Sequence, residues 1–132
     1  MTSVPALVAR KVDLRDEWCC RRCGIRLSIV EGSRHHRQRR GAGGHVTSNL
    51  ILLCGSGTTG CHGWVHSHVT MAVSRGLIVP VNGRARSKFI PIYLRGSWWL
   101  LDDVGGQVQV PEATALETLA AFGLPIPGGG IL

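Results

Sequence analysis

The apolar positions of this chain come in short runs separated by polar, glycine-rich stretches. Leu50-Ile51-Leu52-Leu53 is an unbroken apolar run of strand length between Asn49 and Cys54, and it reads as a buried strand. Residues 34–37 (Arg-His-His-Arg) follow Gly32 and read as the end of another strand. From 62 to about 75 the apolar positions Trp64, Val65, Val69, Met71, Ala72 and Val73 suit a helix, and Gly76 is a natural stop. Residues 77–81, 89–94, 97–101 and 107–110 read as short strands. Between them lie a basic turn at 82–88, Arg95-Gly96, and the turn from Asp102 to Gly106. Pro111-Glu112 opens a helix that runs to about Phe122, with Gly123 beyond its end.

The flanks are less periodic. Residues 1–9 form an apolar arm, ordered or frayed. Residues 10–18 alternate in charge and fit a helical turn or two. Residues 25–31 pair as a short strand or start a helix, 38–48 form a loop carrying Gly41, Gly43 and Gly44, and 124–132 form a loose tail. Trp98-Trp99 fits a strand with one ring in the core and one at the surface, or a platform for stacked bases. Asp102-Asp103 fits a turn.

At 132 residues the chain suits one domain. Its apolar fraction of 44% permits a core, but with 18 glycines and few aromatics the core is small and calls for a staple. Net charge sharpens this picture. The formal charge is +7, and residues 1–66 hold ten Lys/Arg against four Asp/Glu. Thirteen of the fifteen basic residues are arginine, which grips phosphate in two-point fashion. A polyanionic partner is expected. The N-terminus lacks a charged segment followed by a long apolar one, and no apolar run approaches membrane-spanning length. A cytoplasmic, reducing setting with no membrane partner is expected, in which paired cysteines read as metal sites before disulfides.

Cys20-x2-Cys23 and Cys54-x6-Cys61 together supply four thiolates, the set for a tetrahedral structural Zn²⁺. Cys19 is an alternative to Cys20 in the first pair. Among the histidines, His35 and His36 are neighbours on a strand and so point to opposite faces. His62 and His66 are spaced i, i+4 and share a helix face. His35, His62 and His66 are the candidate ligands of a second, catalytic divalent cation, leaving an open position for water and a phosphate oxygen. His68 lies off that face.

Taken together, Cys20-x2-Cys23, His35-His36-Arg37, Gly43-Gly44, Ser48-Asn49-Leu50, Leu53-Cys54, Cys61-His62 and His66 resemble an HNH endonuclease of the zinc-stapled, phage-associated kind, over roughly residues 18–80. The resemblance implies an α+β fold. A ββα-metal (His-Me) finger with a four-cysteine zinc clip would be followed by a small β-hairpin or meander and a C-terminal helix. Residues 1–80 would be the nuclease module and 81–132 a β-rich extension packed onto it. The six residues between Cys54 and Cys61 depart from the short second knuckle usual in the family.

The resemblance also assigns roles. His36 matches the general base that activates water, and His35 the preceding metal ligand. Asn49 matches the middle Asn, which orients the base or supports the loop, and His62 matches the final metal ligand. His66 resembles an additional helix ligand of colicin-type nucleases. Mg²⁺, Mn²⁺, Ni²⁺ or Zn²⁺ would be the catalytic ion. Arg34, Arg37, Arg39 and Arg40 flank this point and are the candidate DNA contacts. The implied partners are double-stranded DNA and, in a phage-infected bacterium, the terminase large subunit of DNA packaging. A non-catalytic zinc-ribbon DNA-binding module is the alternative, and a toxin or restriction nuclease of the same fold is a third reading.

Overall fold

A computed structural model describes residues 3–128, and among them the chain is mixed α+β, with five α-helices and two small antiparallel sheets. Helix α1 (Ala6–Arg15) starts within the stretch read as an arm. Pro5 caps it, and the missing proline N–H costs nothing where the first-turn amides have no intrahelical partner. The charges along α1 are docking groups. Arg15 donates to Asp16 and to the carbonyl oxygens of Thr47 and Leu50. Asp16 also accepts from Arg21 and from the Leu52 amide, and Asp13 holds Arg34.

Strands β1 (Gly32–His36) and β2 (Leu50–Cys54) form an antiparallel pair in which Gly32 faces Cys54 and His36 faces Leu50. The two-residue pleat divides the apolar run of β2 between two layers. Ile51 and Leu53 pack with Cys61 and Val65 of helix α3 (Gly60–Ser67), while Leu50 and Leu52 pack with Val12 of α1. By the same register, His35 lies on the face toward α3 and His36 on the other. The β1–β2 connection holds a single helical turn, α2 (Arg40–Gly43), and a 3-10 turn at Thr47–Asn49.

The single helix expected over 62–75 is two: α3, then α4 (Val69–Ser74). The break is at His68 (φ −127°, ψ 56°). Its ring stacks 4.6 Å from Trp64, and its Nδ1 lies 2.9 Å from the Trp64 carbonyl oxygen that its own amide also uses. That side-chain bond competes with the helical pattern and draws His68 out of it. Gly76 ends α4 at φ +71°, and a Cβ there would sit 2.1 Å from the Pro91 carbonyl oxygen.

Residues 77–81 form no strand: Leu77 and Ile78 bend back, both amides donating to the Ala72 carbonyl. Pro80 removes a donor from mid-segment, so a ladder cannot run through it. Instead the Val79 amide donates to the Arg37 carbonyl (2.8 Å), and the Leu77 carbonyl serves His35. The strand expected from 89 begins only after Pro91, because Ser87–Phe89 is a 3-10 turn. Strands β3 (Ile92–Leu94), β4 (Ser97–Leu101) and β5 (Gln107–Val110) make a meander, and α5 (Glu112–Ala121) follows.

Strands β3 and β4 are covered on both faces, while β5 is largely exposed. Ile92, Leu94 and Leu101 join Ile51, Leu53, Val65 and Leu77 in one core, so the extension shares its interior with the hairpin and α3. On the other face Trp98 packs with Ile90, Ala115 and Leu119, while Trp99 is half-buried against the first core. Leu124 and Ile126 are buried in that second cluster, so this part of the expected tail is packed; residues 129–132 lie outside the described residues. Asp102 closes its turn by accepting the amides of Gly106 and Val104, which hold its carboxyl below the usual range.

Candidate metal centres and cavity

Cys20, Cys23, Cys54 and Cys61 bring four sulfur atoms within 4.8 Å of one another. Cys23 Sγ and Cys54 Sγ are 3.8 Å apart, the edge of a tetrahedron with metal–sulfur bonds of about 2.3 Å. The surroundings suit thiolates. The amides of Cys23 and Cys61 point at Cys20 Sγ and Cys54 Sγ (3.5 and 3.3 Å). Arg22 lies 3.4 Å from Cys61 Sγ with its guanidinium stacked 3.7 Å over the Trp64 ring. Burial pushes the Cys61 thiol up to about 12, a penalty that a cation bound to the sulfurs removes. At Cys20 burial also raises the thiol, but backbone N–H bonds from Cys23, Cys54 and Arg22 outweigh it and lower the pKa. Cys19 is outside the cluster; its backbone bridges Arg26. This cysteine set can hold a structural metal such as zinc, and the six-residue second spacing does not prevent it.

A second group forms from His35 on β1 and His62 and His66 on α3, one nitrogen of each lying within 4.8 Å of the others. The ring centroids are 4.9 to 5.4 Å apart. His35 is buried, and its Nε2 lies 2.7 Å from the Leu77 carbonyl oxygen. A carbonyl only accepts, so Nε2 carries the hydrogen and Nδ1 carries the lone pair. Burial holds the His35 pKa down to about 3, with the cationic forms of His62 and His66 and the charge of Arg37 acting the same way; the Leu77 bond opposes them. Burial and His66 lower His62 too. Near neutral pH His35 and His62 are therefore uncharged imidazoles, the state that binds metal.

His36 projects from the other side of the β1 end and is half-buried. Its Nε2 lies 3.0 Å from His45 Nδ1. Burial, then Arg40, His45 and His62, lower its pKa to about 4. His45 is a site residue that the sequence reading missed; its signal was a further histidine inside the glycine loop. His35, His36, His62 and His66 all open on one cavity of about 740 Å³. Arg34, Arg37, Arg39 and Arg40 also line it, as does the apolar stretch from Ile78 to Val81.

The arginines differ. Arg39 and Arg40 are exposed. Arg34 is held by Asp13 through Nε and Nη2 (3.0 and 2.6 Å). Arg37 is no DNA contact: it is 1% exposed and donates to the carbonyl oxygens of Gly76, Ser48, Ser87 and Ile90 (2.7–3.1 Å). Burial, aided by Arg15, lowers its pKa to about 9, so it stays charged at neutral pH and its charge is met by carbonyl dipoles. Asn49 is fully buried and does not itself line the cavity. Its Oδ1 accepts from the Gln38 amide and the Ser87 hydroxyl, and its Nδ2 donates to Gln38 and Gly44. These bonds tie Asn49 to Gln38 and Gly44 of the 38–48 loop and to Ser87. Gly43 lies so close that a Cβ there would meet Asn49 Nδ2 at 2.5 Å.

No helix among the described residues is long and apolar enough to cross a membrane. Comparison with protein-family models, with curated proteins and with solved structures finds no match to this chain.

Proposed function

We propose that this chain is a metal-dependent endonuclease of the HNH type, built on a ββα-metal finger, which hydrolyses phosphodiester bonds of double-stranded DNA. One observation carries the reading: three convergent imidazoles and the separate His36 open on the same cavity beside exposed Arg39 and Arg40. The motif order that resembles the family agrees with it.

A divalent ion held by His35, His62 and His66 would supply positive charge to the phosphate and to the departing 3′ oxygen. His36 takes a proton from the attacking water as the new P–O bond forms and the bond to the 3′ oxygen breaks. Donation of His36 Nε2–H to His45 Nδ1 would leave the lone pair for that transfer on Nδ1. An imidazole of pKa about 4 is unprotonated at neutral pH, and an anionic phosphate beside it raises its proton affinity. Arg39 and Arg40 hold neighbouring phosphates without reading sequence. The phage terminase large subunit is the protein partner that the resemblance adds.

The test is plasmid cleavage with Mg²⁺, Mn²⁺, Ni²⁺ or Zn²⁺, comparing wild type with His36→Ala. Wild type should cut, chelation should stop it, and His36→Ala should lose at least about a hundredfold in rate. DNA binding without cutting by any of these ions would instead support the zinc-ribbon alternative. Undiminished cutting by His36→Ala would remove His36 as the base.

A further inference from the structure

Ser33 shares the α3-facing side of β1 with His35, two residues on. Its Oγ lies 3.0 Å from the Gly55 carbonyl oxygen and 2.6 Å from His62 Nδ1. A serine hydroxyl has one hydrogen, and a carbonyl oxygen only accepts. The hydroxyl hydrogen therefore goes to Gly55, and the shorter contact is His62 Nδ1–H donating to Ser33 Oγ. This leaves the lone pair of neutral His62 on Nε2.

We infer that Ser33 is a positioning residue for the histidine centre, fixing the tautomer of His62 so that Nε2 is the nitrogen offered to a cation. His35 is fixed in the opposite sense by Leu77, with Nε2–H donated and Nδ1 left to ligate. The two histidines thus reach one point through different ring nitrogens, each set by a different partner. Gly55 directly follows the clip cysteine Cys54. A bonded path runs from the sulfur cluster through the Gly55 carbonyl and the Ser33 hydroxyl to His62, linking the two centres. Outer-shell hydrogen bonds of this kind orient metal-ligating histidines, and their removal typically costs about 10–100-fold in affinity. The inference rests on the reading of His35, His62 and His66 as a cation site, and not on DNA cleavage.

The experiment uses the full chain with zinc in the cysteine clip. Long-range ¹⁵N–¹H NMR of the histidine rings reads the tautomer, and Ni²⁺ titration by calorimetry reads the centre. Wild type should show His62 protonated at Nδ1. Ser33→Ala should lose that preference and bind Ni²⁺ roughly tenfold or more weakly, and Ser33→Thr, which keeps the hydroxyl, should restore both. Wild-type His62 protonated at Nε2 overturns the inference even if Ser33→Ala fails to fold. So does Ni²⁺ affinity unchanged in Ser33→Ala. Wild type that binds no Ni²⁺ removes both this inference and the cation site, whereas failure to cut DNA with the tautomer and affinity effects intact removes only the nuclease reading.

Discussion

His35 Nε2 and the Leu77 carbonyl oxygen are 2.7 Å apart in a buried contact, and this pair ties β1 to the bend that leads into the cavity-lining residues 78–81. It has a pH consequence. The folded-state pKa of His35 is lowered to about 3 by burial, against about 6.5 unfolded. The unfolded chain therefore takes up a proton first, and stability falls as pH drops from about 6.5 toward 3, with a slope of at most about 1.4 kcal/mol per pH unit for this one group. Urea unfolding of protein carrying one zinc per chain, in the cysteine clip, and no other divalent ion should show stability falling between pH 7 and 5. His35→Asn should show a shallower fall. Equal slopes for the two proteins would refute the assignment.

The arginines around the cavity separate into two experimental classes. Arg37→Ala strips a cation from four buried carbonyl oxygens, and a cost on the order of 3 kcal/mol or more is expected in denaturant unfolding. Arg39→Ala and Arg40→Ala should leave stability within about 0.5 kcal/mol. Each should weaken DNA binding uniformly across sequences and reduce the log–log salt slope by about one. If Arg37→Ala folds with native stability and binds DNA more weakly, its placement as a structural residue is wrong.

Metal analysis of the purified chain should find about one tightly held zinc ion. Cys19→Ser should keep it, since Cys19 lies outside the sulfur cluster, and Cys20→Ser should lose it and much of the folded structure. Zinc retained in a Cys20→Ser, Cys23→Ser double variant would sink the clip.

What could be read in the sequence follows from how local each signal is. The Cys20–Cys23 pair and the i, i+4 pair of His62 and His66 are legible because each acts within a single turn, whereas Cys54, Cys61 and His35 are legible by residue type and join these groups only through the β1–β2–α3 packing. The strand at Leu50–Cys54 and the helix at Glu112–Ala121 were legible from apolar runs and from proline and glycine at their ends. Arg37 is not legible because its residue type predicts exposure, while its acceptors arrive from residues 48, 76, 87 and 90. The full length of helix α1 is not legible because ion pairs dock it, and a charge pattern looks the same whether it faces solvent or a partner. The break at His68 comes from its own bond and stacking on Trp64, which helical spacing does not encode. His45 meets His36 only because the glycine loop folds back, and Leu124 and Ile126 look like tail until α5 turns them inward.

Asn49→Asp decides what the buried asparagine does. The change keeps the shape and the acceptor for the Gln38 amide and Ser87 hydroxyl. It replaces the two N–H donors to the Gln38 and Gly44 carbonyls with an oxygen, setting like charges against each other in a buried site. A loss on the order of 3 kcal/mol is expected, together with faster amide exchange across the 38–48 loop. That loop carries Arg39, Arg40 and His45, so DNA binding and cutting should fall. His35, His62 and His66 stand on β1 and α3, so Ni²⁺ affinity in the folded fraction should stay within a few-fold of wild type. Calorimetry with Ni²⁺, exchange rates and cleavage assays on one preparation separate the roles. Cutting lost while stability and loop protection remain native would mean that Asn49 acts on the base and not on the loop.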